Sequence, residues 1–345
     1  MTMSRRAVLG AGAAAILAPS LPPRLARGAA TVTDDAGRAV GVPAKVSRVF
    51  AAGMPAAILI YTLAPDLLLG WPRANRPEEC AYLLPEICAR SVDGGLTGRN
   101  PLSLESVAAL KPDLILDVGS TGAKYAALAA NVERQTGIPT ALLDGHLLGL
   151  STTYEKLGRL IGRDAAGLDF GDYANMTLGA ITNRIAFVPP EKRPRVYYAR
   201  GPRGLTTALG GAIEVDTVEL LGHNVAGDKQ GGGADVSLEQ ILQWAPDAIV
   251  TGDRTFAASV GNDPAWAALT AVREKRVYLA PSVPFDWIGQ QASGNRLIGL
   301  WWLAKLLHPD FFKEDLRELT RDFYAKFYHV TPTEPRLDYL LAGKA

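Results

Sequence analysis

The sequence predicts an α/β protein of two doubly wound parallel-sheet lobes joined by one long α-helix. Three observations favour this fold class. Strand-like runs alternate with helical stretches in both halves, one helix–turn–strand unit occurs twice, and residues 165–188 between the halves have apolar residues at helical spacing. The length of 345 residues, 48% of them apolar, suffices for two cores.

The first 30 residues predict a signal peptide of the twin-arginine type. Arg5-Arg6 precede an apolar stretch, residues 7–21, that is too short to span a bilayer as a helix. Small residues follow, and we expect cleavage near Ala30 and export to the periplasm. An uncleaved N-terminal anchor is the alternative.

The charge balance argues against nucleic acid and membrane surfaces as partners. Lys and Arg number 36 against 35 Asp and Glu, which gives a formal net charge of +1. Four of the arginines lie in the first 30 residues, where there is no acid. The remaining chain is therefore slightly acidic and offers no general attraction to phosphates or anionic lipid.

Cys80 and Cys88 are the two cysteines, and an oxidising compartment permits them to pair. Two buried free thiols are the alternative. A metal site is not expected there because no histidine lies nearby.

The repeated unit covers residues 103–115 and 237–249, and the copies lie 134 residues apart. Both begin Ser-Leu-Glu and both carry Pro-Asp ahead of a β-forming run. Serine is a preferred N-cap, so each copy reads as a short helix, a tight turn and a buried strand. A period this long indicates two related lobes instead of a solenoid.

The other elements fit around these units. Residues 164–190 are expected to form the interlobe helix, which Pro189-Pro190 would end. Residues 31–163 and 191–345 are expected to form the two lobes. Helical stretches end the second lobe from about residue 293 to 327. The predicted strands are residues 46–51, 67–71, 114–118, 140–143, 195–199, 248–251 and 277–279.

A ligand is expected in the cleft between the lobes, outside the carboxyl ends of the strands. Arginines would pair with an anionic chelate, aromatic residues would stack on it, and His146 could complete a metal's coordination sphere. A solvent-exposed surface role is the alternative for any single arginine. The expected ligand contacts are Trp71, Arg73, Arg99, His146, Tyr198, Arg200, Arg203, Lys229, Arg254, Phe285, Asp286 and Trp287.

The chain resembles the periplasmic substrate-binding proteins of ABC importers for ferric siderophores, haem and cobalamin, the class III proteins with a single interlobe helix. The resemblance rests on stretches spread over nearly the whole chain after residue 30. These are residues 32–43, the two Ser-Leu-Glu units, Asp263-Pro264-Ala265-Trp266, and Phe285-Asp286-Trp287 ahead of Asn295-Arg296-Leu297.

The resemblance implies a monomeric binding protein that delivers a ferric siderophore or related metal chelate to an ABC permease dimer with its ATPase. In this family one glutamate per lobe docks into arginine pockets of the permease, and Glu105 and Glu239 match those positions. Favourable first-turn acids are the alternative reading of both. Aromatic residues six positions earlier mark cobalamin binders, and Arg99 and Gly233 stand there, which argues against cobalamin.

An exported α/β metal-dependent hydrolase or chelatase is the alternative from another class. It would use His146 with Asp144 and Asp286, but the sequence assembles no nucleophile, base and orienting group. We therefore expect no enzyme activity and no resident cofactor. A bare metal ion or a metal oxyanion is a further alternative for the ligand.

Overall fold

The computed structural model describes residues 30–97 and 101–342. The predicted signal peptide thus lies outside the described residues except for Ala30. The strands are β1 (Ala30–Thr33), β2 (Ala39–Val42), β3 (Val49–Ala51), β4 (Leu114–Gly119), β5 (Thr140–Asp144), β6 (Arg195–Ala199), β7 (Thr206–Ala208), β8 (His223–Asn224), β9 (Gly233–Asp235), β10 (Ala248–Thr251) and β11 (Val277–Leu279).

Helices alternate with these strands along the chain. They are α1 (Met54–Leu63), α2 (Pro77–Cys80), α3 (Pro85–Cys88), α4 (Leu104–Ala109), α5 (Ala123–Thr136), α6 (Leu150–Ile161), α7 (Asp164–Ile185), α8 (Asp216–Leu221), α9 (Leu238–Trp244), α10 (Arg254–Val260), α11 (Thr270–Arg273), α12 (Arg296–Leu307), α13 (Leu316–Phe327) and α14 (Glu334–Leu341). Within residues 30–97 and 101–342, none of them is long and apolar enough to cross a membrane.

Each lobe is built on a parallel sheet. In the first, β4 lies between β3 and β5, and Leu68 adds a parallel bridge to Val49. In the second, the strand order is β11-β10-β6-β8. Strands such as Leu114–Gly119 are buried on both faces, which is why their sequences are continuous apolar runs. The predicted α/β class with two parallel sheets is confirmed.

The helix α7 runs for 22 residues between the lobes. It starts after Gly162, which ends α6 in a left-handed conformation, and its last helical residue, Ile185, precedes Pro189-Pro190. It crosses α6 at a close glycine contact, where a Cβ on Gly167 would lie 2.9 Å from the Cα of Gly158. The predicted long helix is therefore present, although it ends at Ile185 and not at residue 188, and it packs closely against the first lobe.

The C-terminal helices connect the two lobes a second time. The hydroxyl of Tyr61 in α1 donates to the carbonyl of Tyr328, at 2.7 Å. Tyr82 packs edge-on against Tyr324, and Tyr154 against Phe327. One apolar core consequently runs from the first lobe through α7 into the second.

The repeated units adopt the same local structure. Ser103 and Ser237 cap α4 and α9, and each hydroxyl accepts from the backbone N–H three residues on, at 3.2 Å. A left-handed residue follows each helix, Lys111 with φ 51° and Ala245 with φ 45°. This agreement shows that the two units are structurally equivalent.

Cys80 and Cys88 form a disulfide with their Cα atoms 5.6 Å apart. The free-thiol alternative is wrong. The bridge joins the last residue of the short helix α2 to the last residue of α3, next to Glu79.

Candidate ligand cleft

A polar pocket of about 650 Å³ opens at the carboxyl edge of the second lobe's sheet. Arg200 follows β6 directly and Asp253 follows β10, so both stand where parallel strands end. The sequence predicts a ligand at such strand ends in the cleft between the lobes, and the described lining of this pocket comes from the second lobe. The pocket is lined by Arg200, Gly201, Thr206, Glu214, Gly233, Ala234, Asp235, Asp253 and Gln290.

Among the residues that the structure describes, Arg200 is the one positively charged group of this lining. Its Nη1 lies 3.9 Å from Oε1 of Glu214, a separation at which a ligand oxygen can still compete for the guanidinium. The other two acids are occupied: Asp235 accepts from the Thr206 hydroxyl at 3.0 Å, and Asp253 caps α10. The wall therefore presents donors and acceptors side by side.

A second groove of about 360 Å³ continues from this pocket along the turn after β6. Arg200 belongs to both cavities, and Arg203 lines the second one. These two arginines are the part of the predicted basic cluster that the fold brings together.

Tyr198 and Asp286 form a buried polar layer behind Arg200. Oδ1 of Asp286 accepts from the backbone N–H groups of residues 288–290, whereas Oδ2 has no hydrogen-bond partner in the described chain. The Tyr198 hydroxyl likewise has none. Burial raises the pKa of both groups, and the Asp286 charge raises the pKa of Tyr198 further. Gly252 packs closely against Asp286, since a Cβ on it would lie 2.7 Å from Oδ2.

His146 is engaged with the second lobe. Its Nδ1 lies 3.2 Å from both carboxylate oxygens of Asp216, and the N–H of Leu147 donates to the same carboxylate at 2.7 Å. The fully buried Arg296 donates to Asp216 at 3.2 Å and to the carbonyl of Gly145 at 2.5 Å. Residues 145–147 are thus tied to α8 and α12.

Asp144 and Asp286, the acids that the enzyme alternative would use with His146, both accept hydrogen bonds from nearby backbone N–H groups. Across residues 30–97 and 101–342, no three His, Cys, Asp or Glu side chains are grouped so that they could hold a metal ion. The carboxylate of Asp144 is directed at the backbone N–H of His146, and Asp286 is enclosed in its own loop.

Comparison with known proteins identifies the family. The family described as periplasmic binding protein matches residues 62–284 of the chain. The chain belongs to this family.

The relatives agree with that assignment. The molybdate-binding protein MolA of Haemophilus influenzae is 27% identical over 269 residues, 72% of this chain and 75% of the relative. An uncharacterised ABC transporter substrate-binding lipoprotein of Bacillus subtilis, YvrC, is 28% identical over 223 residues, 62% of this chain and 67% of the relative. The solved ABC transporter solute-binding protein from Sulfurospirillum deleyianum superposes with a TM-score of 0.82 at 25% identity, covering 90% of this chain and 99% of that one.

This chain is accordingly a periplasmic substrate-binding protein of an ABC importer, and binding proteins of this family work with a permease and its ATPase on a small-molecule ligand. The predicted family and the class III fold are confirmed. The relatives are transport proteins and not enzymes.

All four predicted aromatic contacts of the binding protein lie in its core, the fully buried Tyr198 among them. Trp71 is 1% exposed and donates its Nε1–H to the carbonyl of Ile87 at 2.8 Å. Phe285 and Trp287 are fully buried, and Phe285 packs against Trp71. The prediction that they offer stacking surfaces is corrected, because the rings are enclosed in the apolar core, where Phe285 packs against Tyr328 and Trp287 against Tyr324.

Two predicted arginines are already paired. Arg73 forms a bidentate ion pair with Glu79, at 2.8 and 2.9 Å. Burial alone would raise the pKa of Glu79, but hydrogen bonds from Arg73 and Arg76 outweigh it and lower that pKa. Arg254 donates to the Tyr339 hydroxyl at 2.7 Å, from the C-terminal helix α14. The expectation that these guanidinium groups face a ligand is corrected for both.

Two predicted contacts remain, Lys229 and Arg99. Lys229 is exposed on the loop after β8 and is not part of either pocket lining. Arg99 lies outside the described residues. Sequence reasoning does not single out Glu214 and Gln290, which line the pocket, and neither stands in a recognisable motif, although residues 281–290 are expected to form a cleft loop.

Glu105 and Glu239 are exposed in the first turns of α4 and α9. A hydrogen bond from its own backbone N–H, followed by one from the capping serine, lowers the pKa of each carboxyl group. Both carboxylates are therefore held ionised at equivalent places in the two lobes. Their role in permease docking stays a prediction.

Proposed function

We propose that this binding protein captures a metal chelate with oxygen donors, a ferric siderophore or a related complex such as haem, against the Arg200 wall of the cleft. The pocket of about 650 Å³ at Arg200 carries the proposal. Pockets of roughly 300–1,000 Å³ suit ligands of the size of a small organic molecule. A guanidinium group pairs well with the carboxylate or catecholate oxygens that such chelates expose.

The charges of the wall support a chelate over a simple anion. Glu214 stands beside Arg200, so a ligand that offers only negative oxygens would be attracted by one group and repelled by the next. A chelate that carries hydroxyl or amide donors as well as acidic oxygens satisfies both.

A metal oxyanion is the second candidate. It is favoured by the relative named as a molybdate-binding protein, at 27% identity. Arg200 and Arg203 border one groove of about 360 Å³, where a compact anion could contact both.

Calorimetric titration with ferric siderophores, haem, molybdate and tungstate separates the candidates. We expect a chelate to bind, and Arg200→Gln to weaken it about tenfold or more, since a charge-assisted hydrogen bond contributes about 1.5–3 kcal/mol. Arg273→Gln is the matched control, because Arg273 is exposed in the second lobe and bonds to backbone carbonyls. Binding of molybdate with no binding of any chelate would replace the first candidate by the second.

We further propose that Glu105 and Glu239 dock the loaded protein on the permease, one lobe to each half of the dimer. Glu105→Lys with Glu239→Lys should abolish uptake and leave ligand affinity unchanged. Because the pKa of both carboxyl groups is lowered, they stay charged as the pH falls, and docking should be constant between about pH 7.5 and 5.5. Unchanged uptake by the double variant would refute the docking role.

The proposal also covers the location and the mature form of the protein. We propose a monomer in the periplasm, released by cleavage near Ala30, with its lobes bounded by residues 31–163 and 191–345. N-terminal sequencing of the secreted protein tests the cleavage, and a start upstream of residue 10 would show an uncleaved anchor.

A further inference from the structure

Arg48 and Arg195 occupy equivalent positions in the two lobes. Arg48 immediately precedes β3, and its Nη2 donates to the carbonyl of Leu110 at 2.8 Å. Arg195 begins β6, and its Nη2 donates to the carbonyl of Trp244 at 2.6 Å. Those carbonyls lie at the C-terminal ends of α4 and α9, the two helices whose first turns contain Glu105 and Glu239.

The backbone of each arginine is fixed in the same way. Asp113, from the first Pro-Asp turn, accepts from the N–H of Arg48 at 2.9 Å, and Asp247, from the second, accepts from the N–H of Arg195 at 2.8 Å. Both guanidinium groups are therefore positioned by the turn that also ends the docking helix.

Each guanidinium group keeps donors for a partner. Arg48 and Arg195 are exposed, and within residues 30–97 and 101–342 neither forms an ion pair. Arg48 does lie near Asp113, whose pKa it helps to lower, but that carboxylate is occupied by Ser47 and by the backbone of Arg48. A bond to one or two carbonyls leaves several of the five guanidinium N–H donors unused.

Each lobe thus presents a negative group at the start of a short helix and a positive group at its end. At 1.5 Å per residue, Glu105 and Leu110 are about 7–8 Å apart along the helix axis. A helix C-terminus favours a cation there, which explains the contact within one lobe. This preference does not explain why two lobes with different flanking sequences both place an exposed arginine on the equivalent carbonyl.

We propose that Arg48 and Arg195 are part of the permease-docking surface, and that the permease carries an acidic group beside each of the basic pockets that receive Glu105 and Glu239. This inference rests on the docking role proposed for the two glutamates. A pattern of alternating charges fixes the register of docking and rejects a partner that is basic throughout.

The test measures binding of the ligand-loaded protein to its purified permease–ATPase complex in lipid nanodiscs. Arg48→Gln with Arg195→Gln should weaken binding at least tenfold and reduce stimulation of ATP hydrolysis, with ligand affinity changed less than twofold. Arg48→Glu with Arg195→Glu should weaken it further, and this extra loss should shrink as salt is raised. The control Arg273→Gln should bind as the unmodified protein does.

Two further variants separate the possible failures. If Glu105→Gln with Glu239→Gln also binds normally, the docking role itself is wrong. If the glutamate variant loses binding and the arginine variants do not, this inference alone is overturned. Arg48→Lys with Arg195→Lys keeps the positive charge but loses the planar guanidinium group. If this variant binds the permease complex better than the glutamine variant does, at an unchanged melting temperature, the arginines make an electrostatic contact and not a merely structural one.

Discussion

Tyr197 and Tyr198 are neighbours on β6 whose side chains point to opposite faces of the sheet. Both rings are fully buried, Tyr197 in the outer core of the second lobe and Tyr198 in the core shared by both lobes. The Tyr197 hydroxyl donates to the carbonyl of Gly204 at 2.7 Å, whereas the Tyr198 hydroxyl has no partner in the described chain. Alternation along the strand predicts that the rings separate, but not which hydroxyl is bonded.

The two tyrosines give a matched prediction on stability. Tyr197→Phe should lower the free energy of unfolding by about 1 kcal/mol, because it removes a buried hydrogen bond. Tyr198→Phe should leave it unchanged or raise it, because the buried hydroxyl it removes is unsatisfied. Urea denaturation of the ligand-free protein measures both, and an equal loss in the two variants would show that the Tyr198 hydroxyl is bonded.

The predicted ligand contacts show where sequence reasoning stops at the scale of a residue. Arg200 could be placed at the cleft because it directly follows a recognisable strand. Arg73 also follows a strand-like run, but it pairs with Glu79, which is buried beside the disulfide. No pattern in the sequence predicts that ion pair. Trp71 is predicted at the cleft but is buried, because it packs against Phe285, which lies more than 200 positions further along the chain.

At the scale of elements, periodicity predicted most strands and the interlobe helix, because both depend on local apolar spacing. The repeated Ser-Leu-Glu and Pro-Asp motifs predicted α4 and α9 with their caps. The antiparallel pair β7–β9 was not predicted, since its three-residue strands are too short for a pattern to emerge.

The crossing of α6 and α7 gives a prediction on one helix. Gly167→Ala should destabilise the protein by about 1–3 kcal/mol, because the added Cβ would meet backbone atoms, the Tyr154 carbonyl at 2.8 Å among them. Gly179→Ala, in the same helix but with open space around it, should instead stabilise by about 0.5–1 kcal/mol. Thermal unfolding of both variants provides the comparison, and a stabilising Gly167→Ala would contradict the close packing.

At the scale of the whole molecule, the two lobes are connected by more than α7. The C-terminal helices join them through the Tyr61–Tyr328 hydrogen bond, and Arg296 joins them through Gly145 and Asp216. A single connecting helix already favours modest closure of the cleft. The contacts of Arg296 lie where residues 145–147 meet α8, so they restrict the motion of the lobes further.

The tie through Arg296 can be tested on the ligand-free protein. Arg296→Met leaves the carboxylate of Asp216 without its buried partner, and we expect a loss of about 3–5 kcal/mol in stability and a broader distribution of lobe separations. Spin labels at Lys124→Cys and Glu274→Cys, one on each lobe, report that distribution by pulsed electron resonance. Arg184→Met is the control, because it breaks the ion pair of α7 with Glu314 without touching the Gly145 loop. If Arg296→Met lowers stability but leaves the distance distribution as narrow as in the control, the buried arginine stabilises the second lobe alone, and α7 with the C-terminal helices limits closure.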